Sequence, residues 1–138
     1  MTITIRRNTD TTLPASHTIE LLSHVAADSD FRIASIPGIL LKPTEKDRGK
    51  PFAGLAVKVT DGFFMVGLSD VAADRQRNLN LLTQRGWFDI PMTYANNRRA
   101  ILAIAKGNTG DEAVKTVLTA WGQYPVAAGP AATPTNNQ

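Results

Sequence analysis

The chain has 138 residues, of which 43% are hydrophobic and 20% charged, a balance that is typical of globular proteins and excludes a mostly disordered one. It contains no cysteine, which excludes disulfides, thiolate nucleophiles and cysteine-ligated zinc. The 15 Lys and Arg against 12 Asp and Glu give a formal net charge of only +3, far below that of a polybasic arm, although nine of the 15 cations are arginine.

The first half of the chain is predicted to contain strands, one helix and one long loop. Alternating Thr and Ile over residues 2–7 predict a strand, and Ser16 can cap a helix over residues 16–27. Residues 31–36 and 39–41 are predicted to be strands that are interrupted at Pro37-Gly38. The basic segment 42–51 is bracketed by prolines and is predicted to be an exposed, mobile loop.

The clearest local signal is Asp61-Gly62 between two apolar, β-rich runs. Such a pair is typical of a hairpin with a type I′ turn, which needs positive φ at both central residues. The turn predicts a register in which Val57 faces Val66, and alternation then gives one apolar core face: Leu55, Val57, Val59, Phe64, Val66 and Leu68. The opposite face carries Lys58 beside Phe63 and is predicted to be open to solvent or to a ligand.

The second half of the chain predicts two helices around a strand. Asp70 can cap a helix to about Arg85 with Val71, Leu79 and Leu82 inward, and residues 87–94 are predicted to be a strand. Residues 98–106 fit either a strand or a short helix. The best helical periodicity runs from Gly110 to Gly122 and places Trp121 in the core, and the uncharged stretch 126–138 predicts a flexible tail.

These elements predict an α+β fold: an antiparallel β-sheet with a central Asp-Gly hairpin, flanking helices and a C-terminal helix, in one globular domain over residues 1–125. No apolar run reaches the roughly 18 residues of a membrane span, and the first residues lack the apolar part of a signal peptide. We therefore expect a cytoplasmic protein that has no membrane association.

Groups that could support catalysis are sparse. His17 and His24 lack an acidic partner at a metalloprotease spacing, and Gly49-Lys50 lacks the upstream glycine and the following Ser or Thr of a phosphate-binding loop. The neighbouring carboxylates of Asp28 and Asp30, and of Asp111 and Glu112, are explained by helix ends and turns. The sequence therefore favours binding over catalysis and predicts no metal site and no cofactor.

Basic and aromatic residues alternate in several segments, as binding of a single-stranded nucleic acid requires, because cations follow the backbone and rings stack on bases. The candidate residues are Arg6, Arg7, Lys46, Arg48, Lys50, Lys58, Phe63, Arg85, Trp87, Tyr94, Arg98 and Arg99. In an extended segment Trp87 and Phe88 point to opposite faces, so one of them belongs to the core and the other to the binding surface.

The chain length, the hairpin from Val57 to Val66, the basic loop from Lys46 to Lys50 and the terminal helix together resemble the small single-stranded-DNA-binding proteins of podoviruses that carry their own RNA polymerase. They are also similar to the Whirly and positive-cofactor-four families. The resemblance implies a sheet with flanking helices that oligomerises to hold a single strand, with DNA favoured over RNA, in viral replication or transcription.

A different class of function fits the same composition. A phage head or tail component, acting through protein contacts, would also combine an apolar hairpin with an uncharged tail. A homo-oligomer is expected in both cases, because the second face of the hairpin is too apolar at Phe63 and Met65 to be left in water.

Overall fold

The computed structural model describes residues 1–26 and 28–123. The predicted tail, 126–138, and the last residue of the predicted helix 16–27 lie outside the described residues. The described residues form nine strands and two helices: β1 (Thr2–Arg7), β2 (Ala15–Leu22), β3 (Ile33–Ser35), β4 (Leu40–Lys42), β5 (Lys50–Pro51), β6 (Gly54–Thr60), β7 (Phe63–Ser69), α1 (Ala72–Gln84), β8 (Trp87–Tyr94), β9 (Arg99–Ala105) and α2 (Gly107–Ala120). Antiparallel sheets with two helices are compatible with the α+β class. Within the described residues, neither helix is long and apolar enough to cross a bilayer.

Sheet I consists of β1, β2, β7 and β6 in that order, and its second strand corrects the sequence prediction. The helix predicted over residues 16–27 is wrong, because residues 15–22 form β2, which pairs with β1 on one side and β7 on the other. His17, Ile19 and Leu21 are buried at strand spacing, whereas Leu22 of the predicted helical stripe is exposed. Tertiary pairing on both edges of β2 therefore overrides the local helical pattern.

The Asp61-Gly62 connection joins two antiparallel neighbours, but their register and position differ from the prediction. Gly62 has a φ of 76°, whereas Asp61 does not adopt positive φ, so the turn is not type I′. A β-bulge between Lys58 and Thr60 shifts the pairing, so that Lys58 faces Phe64 and Ala56 faces Val66. A shift by one residue moves every side chain of β6 to the other face.

The predicted core face is therefore wrong for β6 and right for β7. Phe64, Val66 and Leu68 are buried, whereas Leu55, Val57 and Val59 are 79%, 55% and 46% exposed. Furthermore, β6 is the last strand of sheet I rather than a central one.

Sheet II is built around β8, which pairs with β9 along one side and with β4 and β3 along the other. Strand β5 continues the sheet beyond β4. The strand predicted over residues 87–94 is confirmed, and residues 98–106, which the sequence left open, form the strand β9. The predicted interruption at Pro37-Gly38 separates β3 from β4.

The core lies where the inner faces of the two sheets meet the helices. Sheet I contributes Ile19, Leu21 and Phe64, and sheet II contributes Leu41, Phe88 and Ile90. The other buried apolar members include Leu81 and Leu82 of α1 and Leu118 of α2.

The two helices of the second half lie close to their predicted positions but begin differently. Val71 occupies the N-cap of α1 without a side-chain cap and is exposed, so neither the Asp70 cap nor an inward Val71 is correct. Helix α2 begins at Gly107, three residues earlier than predicted, and Trp121 at its end is half-buried.

Candidate nucleic-acid interface

The predicted binding residues lie at several different turns and strand ends. Lys58 and Phe63 lie at the β6–β7 turn, and Tyr94, Arg98 and Arg99 lie at the β8–β9 turn. A further group surrounds the β4–β5 loop and the start of β8: Lys46, Arg48, Lys50, Arg85 and Trp87. Arg6 and Arg7 end β1.

The predicted pairing of Lys58 with Phe63 on one binding face is wrong. Lys58 faces Phe64 across the two strands, and Phe63 faces Thr60, so Lys58 and Phe63 belong to opposite faces of sheet I. The ammonium of Lys58 also lies 2.9 Å from the carboxylate of Asp61. The pKa of Asp61 is lowered by the hydrogen bond from Lys58, by the charge of Lys58 and, to a smaller extent, by the charge of Arg32.

The tryptophan at the start of β8 is the less buried member of its pair. Phe88 is buried in the core, whereas Trp87 is only partly covered, which settles the choice that the sequence left open. Trp87 lies beside Lys42 of β4, a cation that the sequence analysis did not select. Lys42 is buried and ion-paired with Asp89 at 2.8 Å, so it offers little charge to a ligand. Lys46 and Arg48 of the β4–β5 loop are exposed, and so is Lys50, which the sequence placed in that loop but which begins β5.

The best combination of rings and cations lies at the β8–β9 turn. The rings of Phe31 and Tyr94 meet edge to face with centroids 5.7 Å apart. The N–H of Ala95 donates to the carbonyl of Arg32 at 2.8 Å, and the N–H of Tyr94 donates to the carbonyl of Arg98 at 2.8 Å. These bonds hold the segment before β3 against the turn. We call Phe31, Arg32, Tyr94 and Arg98 the ring-pair site.

The ring-pair site exposes the groups that a nucleotide would contact. Phe31 is 60% exposed, and Arg98 is exposed at the tip of the turn. Phe31 and Tyr94 also line a cavity of about 410 Å³ that extends towards Met1 and His24. Arg99 faces Thr93 in the ladder and lines a different cavity with Pro91 and Ile101, so it does not join the ring-pair site.

Two members of this site, Phe31 and Arg32, were missed in the sequence analysis, where they were assigned to the start of a strand. They are an aromatic residue next to a cation, the same signal that selected Trp87 and Tyr94. The search for alternating aromatic and basic residues could therefore have found them.

The arginines at the end of β1 are engaged within the chain. Arg6 pairs with Glu20 at 3.1 Å, and the guanidinium of Arg7 lies 5.7 Å from the ring centroid of Trp121. The imidazole of His17 lies 5.7 Å from the same ring and hydrogen-bonds Gln123 at 2.7 Å through Nε2. This arrangement fastens the end of α2 to sheet I.

The buried His17 makes stability depend on pH. Burial lowers the pKa of His17 more than the Gln123 hydrogen bond raises it, and the charges of Arg7 and Arg75 add smaller downward effects. Because the folded-state pKa lies below the unfolded value of about 6.5, this group's contribution to stability is present above that pH and is lost as the pH falls through the folded pKa. We expect the urea midpoint of the protein to fall between about pH 7 and pH 5, and the fall to be smaller in His17→Gln. Equal falls in both proteins would contradict this role of His17.

A largely apolar cavity of about 380 Å³ lies between β1, β9 and α2. It is lined by Ile3, Ile5, Ile104, Val114 and Trp121, among others. Its charged side chain, Lys106, is committed to the carbonyl of Leu82 and to Asp111. Within the described part of the chain, no cluster of three or more His, Asp or Glu could hold a metal ion.

Comparison with family models, with curated proteins and with solved structures found no match for this chain. Its function is therefore argued from the ring-pair site and from the exposed surfaces of the sheets.

Proposed function

We propose that the protein binds single-stranded nucleic acid, with DNA preferred, without sequence specificity and through the ring-pair site. The observation that supports this proposal best is the largely exposed ring of Phe31, which packs against Tyr94, the residue that pairs with Arg98 across the turn. An exposed ring held by another ring offers a flat surface on which a base can stack at little cost in side-chain entropy.

The cations of the ring-pair site suit a phosphate backbone. Arg98 is exposed and, among the described residues, forms no ion pair, so its guanidinium can contact a phosphate. Arg32 adjoins Phe31 in sequence and adds a second positive charge. Ring and cation contacts of this kind do not read base edges, which fits binding without sequence specificity. Viral replication or transcription is the process that the family resemblance implies.

The test compares the variants Phe31→Ala and Arg75→Ala. Arg75 is an exposed residue of α1, the helix that follows β7 at the end of that strand away from the β6–β7 turn. We expect Phe31→Ala to weaken binding of a labelled dT oligonucleotide by roughly five- to 150-fold, the equivalent of about 1–3 kcal/mol for one stacked base. Arg98→Ala should reduce the slope of log K against log salt by about 0.7. Fluorescence anisotropy over a salt series measures both effects.

Equal losses in Phe31→Ala and Arg75→Ala would show that the ring-pair site is not the contact surface. Failure of the wild-type protein to bind dT oligonucleotides at low salt would reject nucleic-acid binding as a whole.

A structural or assembly component, such as a phage head or tail protein, is the second candidate. The observation that favours it is the apolar exposure of one edge strand in each sheet: Leu55 of β6 is 79% exposed and Ile101 of β9 is 67% exposed. Exposed apolar edge strands are typical of surfaces that contact other chains. Large assemblies in sedimentation velocity together with no binding of oligonucleotides would favour this candidate.

A further inference from the structure

Strand β6 has one side that no other strand of the described residues covers. It is the terminal strand of sheet I, and its partner β7 pairs along the other side. The N–H of Ser69 donates to the carbonyl of Ala53 at 2.9 Å, which fixes the alternation of hydrogen bonds along the pair. Leu55 and Val57 then direct their backbone groups towards β7, and Ala56 and Lys58 direct theirs outwards.

The side chains of this edge are unusually apolar for an unpaired strand. Leu55, Val57 and Val59 project from one face and are 79%, 55% and 46% exposed. Single-chain proteins usually protect such an edge with charges or proline. The charge present on β6 is Lys58, which is ion-paired with Asp61 of its own turn.

We propose that β6 pairs antiparallel with β6 of a second copy of this chain, about a two-fold axis that passes through Val57. In this register Val57 faces its own copy, Leu55 faces Val59, and Ala56 faces Lys58. The outward backbone groups of Ala56 and Lys58 form the intermolecular hydrogen bonds. Two four-stranded sheets thereby become one sheet of eight strands.

Charge and the matching of side chains favour this register over its neighbours. A two-fold axis at Lys58 would place two ammonium groups directly opposite each other, which is unfavourable in a ladder. An axis at Ala56 would place Val59, an exposed apolar side chain, opposite the small side chain of Ala53. The axis at Val57 matches every exposed apolar side chain of β6 with another one and places Lys58 opposite an alanine.

The test introduces single cysteines, because the sequence contains no cysteine of its own. Val57 on the axis forms a non-hydrogen-bonded pair with Cα atoms about 4.5 Å apart, within the range of about 4.4–6.8 Å that a disulfide needs. We expect Val57→Cys to form a covalent dimer on mild oxidation. Leu55→Cys, at a more exposed position, should form little dimer alone but should cross-link when mixed with Val59→Cys.

Cross-linking of Leu55→Cys alone as readily as Val57→Cys would show random collision and overturn the proposed register. A wild-type protein that sediments as a monomer at micromolar concentration would overturn the dimer itself.

A charge on the axis gives an independent measurement. Val57→Lys should change the sedimenting mass from dimer to monomer while the circular dichroism spectrum stays unchanged, because Val57 is not part of the core. A dimer that survives Val57→Lys would overturn the proposal. This inference does not depend on nucleic-acid binding, since both experiments omit the oligonucleotide.

Discussion

Asp89→Ala is expected to lower the free energy of unfolding by about 3–5 kcal/mol, a large part of the roughly 5–15 kcal/mol by which a typical domain is stable. The carboxylate of Asp89 lies 2.8 Å from the ammonium of Lys42, and the two side chains are 15% and 7% exposed. In Asp89→Ala, the Lys42 ammonium can still donate its hydrogen bond to the carbonyl of Glu45, at 2.7 Å, but no carboxylate balances its charge. A buried ammonium without a counter-charge is the costly state.

Urea unfolding followed by circular dichroism measures this loss, with the slope of the transition as the check on two-state behaviour. The matched control is Asp61→Ala, which removes the exposed ion pair with Lys58 and should leave the midpoint nearly unchanged. The double variant Lys42→Met with Asp89→Leu should recover most of the lost stability, because it removes both charges together. If Asp89→Ala shifts the midpoint no further than Asp61→Ala does, the Lys42 ammonium reaches water and the pair is not a buried one.

The sequence predicted the second half of the fold better than the first. In strand β8 and the two helices, apolar residues recur at regular spacing between glycines, and the structure forms these elements close to the predicted positions. Strand β2 has a pattern that fits either period, and its conformation depends on β1 and β7, which pair with it from distant parts of the sequence.

The bulge in β6 explains the largest error in the predicted site. The Asp-Gly pair indicates a chain reversal between Thr60 and Phe63, but the residues on either side of Val59 are Lys58 and Thr60, and neither is a glycine or proline that would mark the extra residue. One inserted residue exchanges the two faces of β6 and separates Lys58 from Phe63. The ring-pair site was found only in part for a related reason, since the contact between Phe31 and Tyr94 joins segments that local patterns cannot bring together.

Asn78→Asp is the second substitution with a large expected effect, because Asn78 joins α1 to the segment that leads into β6. Its side chain is buried; Oδ1 accepts the N–H of Ala53 at 2.8 Å, and Nδ2 donates to the carbonyl of Ala53 at 2.9 Å. A carboxylate can replace the acceptor but not the donor, so the substitution places a negative charge next to a carbonyl oxygen inside the core. We expect a loss of about 3 kcal/mol or more at neutral pH.

The pH dependence of this loss distinguishes a buried carboxyl from a general packing defect. Burial raises the folded-state pKa of the introduced carboxyl above its unfolded value of about 3.9, so its ionisation favours the unfolded chain. The deficit of Asn78→Asp relative to the wild-type protein should therefore be smallest below about pH 4 and grow as the pH rises through the folded pKa, because only the protonated carboxyl can donate to Ala53. Asn78→Leu, which removes both bonds without adding a charge, should show a deficit of about 1–3 kcal/mol that does not change with pH. Equal pH profiles for the two variants would mean that the residue at position 78 is hydrated, and that the link between α1 and β6 does not depend on this amide.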